Sequence, residues 1–276
     1  MYQKYFTTDD NFEEIIKKYF PNFLEMKQVQ TGWTNFVYKV KCANATYFFR
    51  FPRNDFFSDA LIKEYYFTNF IRNKISFKVP SLKLKHDKKR PFTIHREIVG
   101  ESLSDCYTSL TIEEKEKLAF DIMKLVYEFS KIDYKSLKFY NFQLVSNFLD
   151  NLSNVSQNGY DKKEHDYLKR LENVEKIISH GDLNPGNLIL KDHKLVAVID
   201  FSFAGLSSDL VDISRMIGRT PEDFRPMIIC AYEKRFNKKI DDDAVEILNQ
   251  MWHYVEEKYI LYIKQNHPTI VLPSLV

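Results

Sequence analysis

The sequence predicts a two-lobed α+β fold. A β-rich N-terminal lobe with one main helix spans residues 1–99, and a mostly helical C-terminal lobe spans residues 100–276. Three observations carry this reading. The chain of 276 residues is longer than one small core requires. Aromatic and β-branched runs crowd the part before Gly100. After Gly100 the apolar residues fall into the spacing of amphipathic helices.

Each element follows from its own residues. "NFEEIIKKYF" at 11–20 reads as a short helix stopped by Pro21. "TNFVYKVK" and "TYFFRF" read as strands joined by the turn "CANA". "SDALIKEYYFTNFIRNK" reads as the main helix of the first lobe, with Ser58 or Asp59 as its N-cap. "VPSLKLKH" and "FTIHREIV" form a second hairpin around "DKKRP". In the second lobe, "TIEEKEKLAFDIMKLVYEFSKI" opens with a capping box from Thr111 to Glu114, and Leu118, Ile122, Leu125 and Phe129 recur on one face. Residues 142–152 read as helix, "SNVSQNG" as loop, and "DKKEHDYLKRLENVEK" as a helix with the cap pair Asp161 and Glu164. Two helices close the chain, one from Pro221 and one from Asp241 to Asn266, ended by Pro268.

Composition excludes several classes of function. Apolar residues make up 44% and charged residues 28%, as in soluble globular proteins. The net charge of +2 is spread along the chain, which argues against a nucleic-acid partner. Cys42, Cys106 and Cys230 are far apart and odd in number, which fits a reducing compartment. No apolar leader opens the chain, and the longest apolar run, "MIICAY" at 227–232, is far short of the roughly 20 residues of a membrane span. These features predict a cytoplasmic protein with no membrane partner.

One stretch carries chemistry. "HGDLNPGN" occupies 180–187 and "VIDF" follows at 198–201. "NLIL" and "LVAVID" flank the turn "KDHK", so 187–200 reads as a tight hairpin. Pairing Leu190 with Leu195 sets Asn187 opposite Val198, and Asp200 lies about 7 Å further along the strand. The hairpin thus brings the Asn187 amide and the Asp200 carboxylate to one end, beside Asp182. Hard oxygens of this kind suit Mg²⁺, which takes few protein ligands and completes its shell on substrate phosphates. Asn187 and Asp200 are the candidate metal ligands. Asp182 then remains to accept a proton from an attacking hydroxyl, in a phosphoryl transfer that depends on positioning and charge neutralisation. His180 is read as orienting the loop. Asp and Asn beside Gly and Pro can also make simple turns, but the joint pattern argues for a site.

"HGDLNPGN…VIDF" resembles the signature of the aminoglycoside phosphotransferase and choline kinase family, which has a protein-kinase-like fold. The resemblance covers essentially the whole chain. It implies that Asp182 is the catalytic base and that Asn187 and Asp200 hold Mg²⁺. It also implies a nucleotide donor, ATP or GTP, and a small hydroxyl-bearing acceptor. Where the family usually has Gly-Asp-Pro, this chain has Ser207, Ser208 and Asp209. Asp212 matches a later aspartate whose role is mainly structural.

The first lobe is consistent with that resemblance. "GWTNFVYKV" is similar to the family's glycine-poor phosphate loop, with Gly32 at the corner and Thr34 and Asn35 on the phosphate side. Arg50 lies in a strand of aromatics, where a charge needs a partner; Glu64 on the following helix is the proposed partner. In "HREIVGES", at the junction of the lobes, the Arg96 carbonyl and Ile98 amide take the places that hold the nucleobase in the family. Backbone contacts of this kind do not distinguish ATP from GTP.

The acceptor is expected to be a small cation met by the C-terminal helices. A polyamino sugar would be steered by Asp241, Asp242, Asp243, Glu256 and Glu257, whereas choline or ethanolamine would rest on the aromatic faces of Trp252 or Tyr259; these aromatics and Glu256 could also be the core and surface of one amphipathic helix. An aminoglycoside-like acceptor is the leading expectation and choline or ethanolamine the alternative. A nucleotide-binding pseudoenzyme is disfavoured by the complete Asp182, Asn187 and Asp200 set. A protein kinase is disfavoured because no activation segment is readable after Asp200.

Overall fold

The computed structural model describes residues 5–29, 34–136, 162, 166, 169 and 175–266. The chain divides into two compact units, one drawn from Met1–Phe70, Pro80–Ile98 and Ile263–Val276 and the other from Ile71–Val79 and Val99–Tyr262. The expected helices at 142–152 and 161–176, with the loop between them, lie almost wholly outside the described residues.

In the first unit, Asn11 caps α1 (Phe12–Lys17) by accepting from the Glu14 amide. The strands β1 (Glu25–Val29), β2 (Asn35–Lys41) and β3 (Thr46–Pro52) follow, then α2 (Asp55–Ile71), β4 (Lys83–Asp87) and β5 (Arg90–Arg96). The five strands form one antiparallel sheet in the order β1-β2-β3-β5-β4. "CANA" closes the β2–β3 turn, with the Cys42 amide donating to the Ala45 carbonyl at 2.8 Å. α2 starts earlier than its sequence suggests. Asn54, not Ser58 or Asp59, accepts the orphan amide of Phe57 at 2.8 Å and so acts as the cap.

Alternation along β3 decides what each face does. Phe49 and Phe51 point into a core with Phe6, Phe12, Ile16, Phe36, Val40 and Phe92, all buried. Arg50 points the other way, where its Nη1 lies 2.7 Å from both carboxylate oxygens of Glu64 on α2. Glu64 is 1% exposed and Arg50 9%. The expected pair is therefore present, and it is a buried one.

In the second unit, β6 (Glu101–Ser102) and α3 (Leu103–Cys106) lead into α4 (Ile112–Ser130). α4 opens with the expected Thr111–Glu114 capping box and buries Leu118, Ile122, Leu125 and Phe129. Gly100 is needed at the entry to β6, because a Cβ there would lie 2.4 Å from the Leu190 carbonyl oxygen. Further along come β7 (Ile177–Ser179), β8 (Leu188–Lys191), β9 (Lys194–Val198) and β10 (Gly205–Ser207). β6, β8 and β9 form one small sheet, and β7 pairs with β10. Three helices follow: α5 (Asp209–Arg219), α6 (Arg225–Phe236) and α7 (Asp242–Asn266). α6 begins at Arg225, later than the Pro221 start read from the sequence, because Pro221–Phe224 forms a turn with the Phe224 amide on the Pro221 carbonyl. α5 was not foreseen.

Removing one partner of the Arg50–Glu64 pair strands a buried charge, at a cost of roughly 3–5 kcal/mol. Arg50→Met and Glu64→Gln should each lower urea-unfolding stability by that order. The double variant should lose less than the sum by at least about 0.5 kcal/mol. Additive losses would show that the two side chains act independently.

Candidate functional site

β7 is short and wholly buried, and it delivers His180, Gly181 and Asp182 in succession. Gly181 turns the chain with φ +77°, a conformation that favours glycine. The turn is pinned by Asp212 on α5. Its Oδ2 accepts from the His180 amide at 2.8 Å and its Oδ1 from the Gly181 amide at 2.9 Å. Burial pushes the Asp212 carboxyl upward, against the opposing pull of His180, the two amides and the Ser179 hydroxyl. His180 is fully buried. The Asp182 amide donates to its Nδ1 at 3.3 Å, which leaves Nε2–H to donate to the Ile199 carbonyl at 2.9 Å. The ring thus links the loop to the end of β9, an orienting role that matches the sequence reading.

The rest of the loop is tied by its own side chains. Asn184 accepts from the Gly186 amide at 2.9 Å and donates to the Asp182 carbonyl at 3.0 Å. Pro185 starts a single turn of 3₁₀ helix that ends at Asn187. The Asn187 amide nitrogen donates to the Asp182 carbonyl at 2.9 Å and lies 3.5 Å from its Oδ2.

The hairpin forms with Leu190 opposite Leu195 and a turn in which Asp192 and His193 both have positive φ, 51° and 60°. A bulge at Ile189/Leu190 shifts the register beyond it, so Leu188 rather than Asn187 faces Val198. Asn187 instead accepts from the Ile199 amide at 3.0 Å through its carbonyl. That draws it closer to Asp200 than simple counting places it. Asp200 has φ +62°, and its Oδ1 accepts from the Ser202 hydroxyl at 2.8 Å. Asp tolerates this conformation better than most residues.

This arrangement can bind a hard cation. Asn187 spends its amide nitrogen on the Asp182 backbone, so its side-chain oxygen is the ligating atom it retains. With the Asp200 carboxylate it makes a two-residue oxygen set. No group of three or more His, Cys, Asp or Glu able to hold a metal occurs among the described residues. A cation held here would complete its shell on phosphate oxygens and water, as suits Mg²⁺.

α5 adds two interactions that sequence reasoning missed. Arg215 donates from Nε to Asp182 Oδ1 at 2.8 Å, and its Nη2 lies 2.7 Å from Glu256 Oε1 on α7. Arg219, one turn along α5, also pairs with Glu256. The signal was present in "DLVDISRMIGR", where Asp212, Arg215 and Arg219 recur at helical spacing. At the head of α5, Ser208 caps the helix by accepting from the Leu210 amide at 3.1 Å. The Asp209 carboxylate meets Lys238 at 2.8 Å and the Tyr232 hydroxyl at 3.1 Å. The Ser-Ser-Asp departure from the family pattern thus builds a well-capped helix.

Two acceptor-side expectations need correction. Glu256 is not a free acidic residue that steers cations, because two arginines share it. Trp252 is 8% exposed, and the Arg215 guanidinium lies over its ring at 4.8 Å, so that ring offers no face to an ammonium group. Asp241, Asp242, Asp243 and Glu257 are exposed. The side chain of Tyr259 lies outside the described residues.

The first unit holds the remaining candidates, except Gly32, which lies outside the described residues. Asn35 is 3% exposed and donates to the Thr34 hydroxyl at 2.7 Å. Its side chain is therefore directed at its neighbour, and Thr34 is the more accessible of the two. Arg50 is held by Glu64 as described. Arg96 ends β5, where its side chain reaches the Asn44 carbonyl at 3.4 Å, and Ile98 follows, half-buried.

A family model described as a phosphotransferase enzyme family, APH, matches residues 25–248. The chain belongs to that family. Its members are small-molecule kinases, and the two-lobed, kinase-like fold is theirs. The chain is similar to the solved GDP and kanamycin complex of APH(2″)-IIIa, with 18% identity, 93% of this chain and 92% of that chain covered, and a TM-score of 0.74. An aminoglycoside-3′-phosphotransferase of type VIII is 14% identical, with 90% and 97% covered and a TM-score of 0.68. The macrolide 2′-phosphotransferase MphH from Brachybacterium faecium is 13% identical, with 87% and 86% covered and a TM-score of 0.60. No curated protein matches the chain. No helix among the described residues is long and apolar enough to cross a membrane.

Asp212→Ala leaves the buried His180 amide without its acceptor, at roughly 1–3 kcal/mol, and leaves the Gly181 amide only the Ser179 hydroxyl at 3.1 Å. Urea unfolding should show a loss of that order, smaller in Asp212→Asn, which keeps an acceptor oxygen. A loss below about 0.5 kcal/mol, the range of an ordinary surface change, would contradict the pin.

Proposed function

We propose that this small-molecule kinase transfers the γ-phosphate of ATP or GTP, with Mg²⁺, to a hydroxyl of a polyamino sugar of the aminoglycoside type. The observation that carries the reading is the separation of roles at the end of the hairpin. Asp182 Oδ1 is engaged by Arg215, and the Asp182 backbone is fixed by Asn184 and Asn187, so this carboxylate is held as a base. The Asn187 oxygen and the Asp200 carboxylate form a distinct pair suited to a cation.

In this reading Asp182 accepts the proton of the attacking hydroxyl. Asn187 and Asp200 would hold Mg²⁺, which would supply charge neutralisation for the phosphates. Arg50, fixed by Glu64, is the cation for the nucleotide phosphates, and Gly32, Thr34 and Asn35 line them. The Arg96 carbonyl and Ile98 amide hold the nucleobase through the backbone. Similar structures contain GDP, ADP or ATP, and kanamycin, gentamicin or streptomycin, which makes both purine nucleotides and these sugars the first probes. The burial of Trp252 beneath Arg215 weighs against choline as the acceptor.

The test is a phosphotransfer screen with labelled ATP and GTP over aminoglycosides, choline, ethanolamine, sugars and nucleosides. Label on an aminoglycoside supports the reading; label only on a neutral sugar or nucleoside would remove the cationic acceptor class. Asp182→Asn should slow transfer by roughly 10²–10⁴-fold with little change in nucleotide affinity. Turnover within about twofold of the parent would take Asp182 out of the base role. Calorimetry should show that Asp200→Ala abolishes Mg²⁺-dependent nucleotide binding and that Asn187→Ala weakens it less. Unchanged Mg²⁺ dependence in the Asp200 variant would refute the metal assignment.

A further inference from the structure

We infer that Arg215 is a positioning residue for Asp182, and that Glu256 orients Arg215 in turn, so that α7 helps to set the geometry of the catalytic loop. The inference rests on the phosphotransfer reading of Asp182.

The guanidinium is bound on two edges and one face. Nε meets Asp182 Oδ1 at 2.8 Å, Nη2 meets Glu256 Oε1 at 2.7 Å, and the plane lies over the Trp252 ring at 4.8 Å. A planar fork held in this way cannot swing about its last bonds without losing a contact. Arg219 holds Glu256 from the next turn of α5, which fixes the far end of the chain.

Burial makes the arrangement strong. The side chains of Arg215, Glu256 and Asp182 are 11%, 13% and 19% exposed, so solvent screens them little. Burial works against the Arg215 charge, but Asp182 and Glu256 more than offset it. The contact also falls on the atoms that matter. It reaches the Asp182 carboxylate, not its backbone, and occupies one oxygen. Oδ2, 3.5 Å from the Asn187 amide nitrogen, remains to receive the acceptor's proton. An error of about 1 Å in such a group can cost on the order of a hundredfold in rate.

The experiment follows nucleoside diphosphate release by the full chain from Mg·ATP and Mg·GTP, with water alone and with kanamycin as acceptor probe. Arg215→Ala should lower kcat by about tenfold to a hundredfold while nucleotide KM stays within about twofold. Arg215→Lys, which keeps the charge but not the fork, should recover only part of the loss, and Glu256→Gln should give a smaller fall of the same kind. In an Asp182→Asn background, Arg215→Ala should cost nothing further. If Arg215→Ala proves unstable in a thermal melt, Arg215→Lys and Glu256→Gln carry the test. Unchanged kcat, a change confined to KM, or losses that add to those of Asp182→Asn would overturn the inference and leave the phosphotransfer reading standing. No release by the parent with either acceptor would remove that reading and the inference together.

Discussion

The site depends on one buried carboxylate. Asp212 accepts the amides of His180 and Gly181, the second shared with the Ser179 hydroxyl, as the chain leaves β7 and turns toward Asp182. His180 and Asp212 are buried, so those amides need a protein acceptor. Because Asp212 belongs to α5, the same contact fixes that helix against the loop. Arg215, three residues on, then faces the Asp182 carboxylate. The pin and the charge partner of the proposed base are thus consecutive features of one helix face.

A second constraint is that the buried arginines Arg50 and Arg215 are each held by carboxylates. Arg50 meets Glu64 behind the five-stranded sheet, on the face opposite the aromatic core. Arg215 meets Asp182 and Glu256, and Arg219 shares Glu256. Such pairs add little net stability over apolar residues, since desolvation consumes most of the attraction. What they provide is direction. A guanidinium fork held by carboxylates points where its partners place it, as phosphoryl transfer requires of a protein that supplies position and charge.

Much of this was legible in the residues. The hairpin and its turn followed from alternation and from "KDHK", the α4 cap from Thr111 and Glu114, and the Arg50–Glu64 pair from one charge among aromatics. What escaped reading depends on tertiary contacts. α5 went unread although Asp212, Arg215 and Arg219 recur at helical spacing in "DLVDISRMIGR"; what the residues alone do not show is which groups Asp212 and Arg215 meet. The bulge at Ile189/Leu190 shifts the register by one residue, and nothing local in "NLILK" announces it. On an isolated helix Trp252 and Glu256 read either as an acceptor surface or as core and surface of one amphipathic helix, and the burial of Trp252 decides for the second. The arginines that occupy Trp252 and Glu256 come from α5, far away in sequence. Asn54 rather than Ser58 caps α2 because the helix gains another turn, which carries the buried Phe57 one turn ahead of Leu61.

The central claim is that the oxygens divide into a cation pair, Asn187 and Asp200, and a base, Asp182, held apart from it by Arg215. A crystal structure with a non-hydrolysable ATP or GTP analogue and Mn²⁺ in place of Mg²⁺ tests this directly, because the anomalous signal locates the ion. The account predicts manganese bound by Asn187 Oδ1 and the Asp200 carboxylate, with phosphate oxygens completing its shell and Asp182 still on Arg215. Manganese coordinated by the Asp182 carboxylate, with Arg215 displaced from it, would contradict the account.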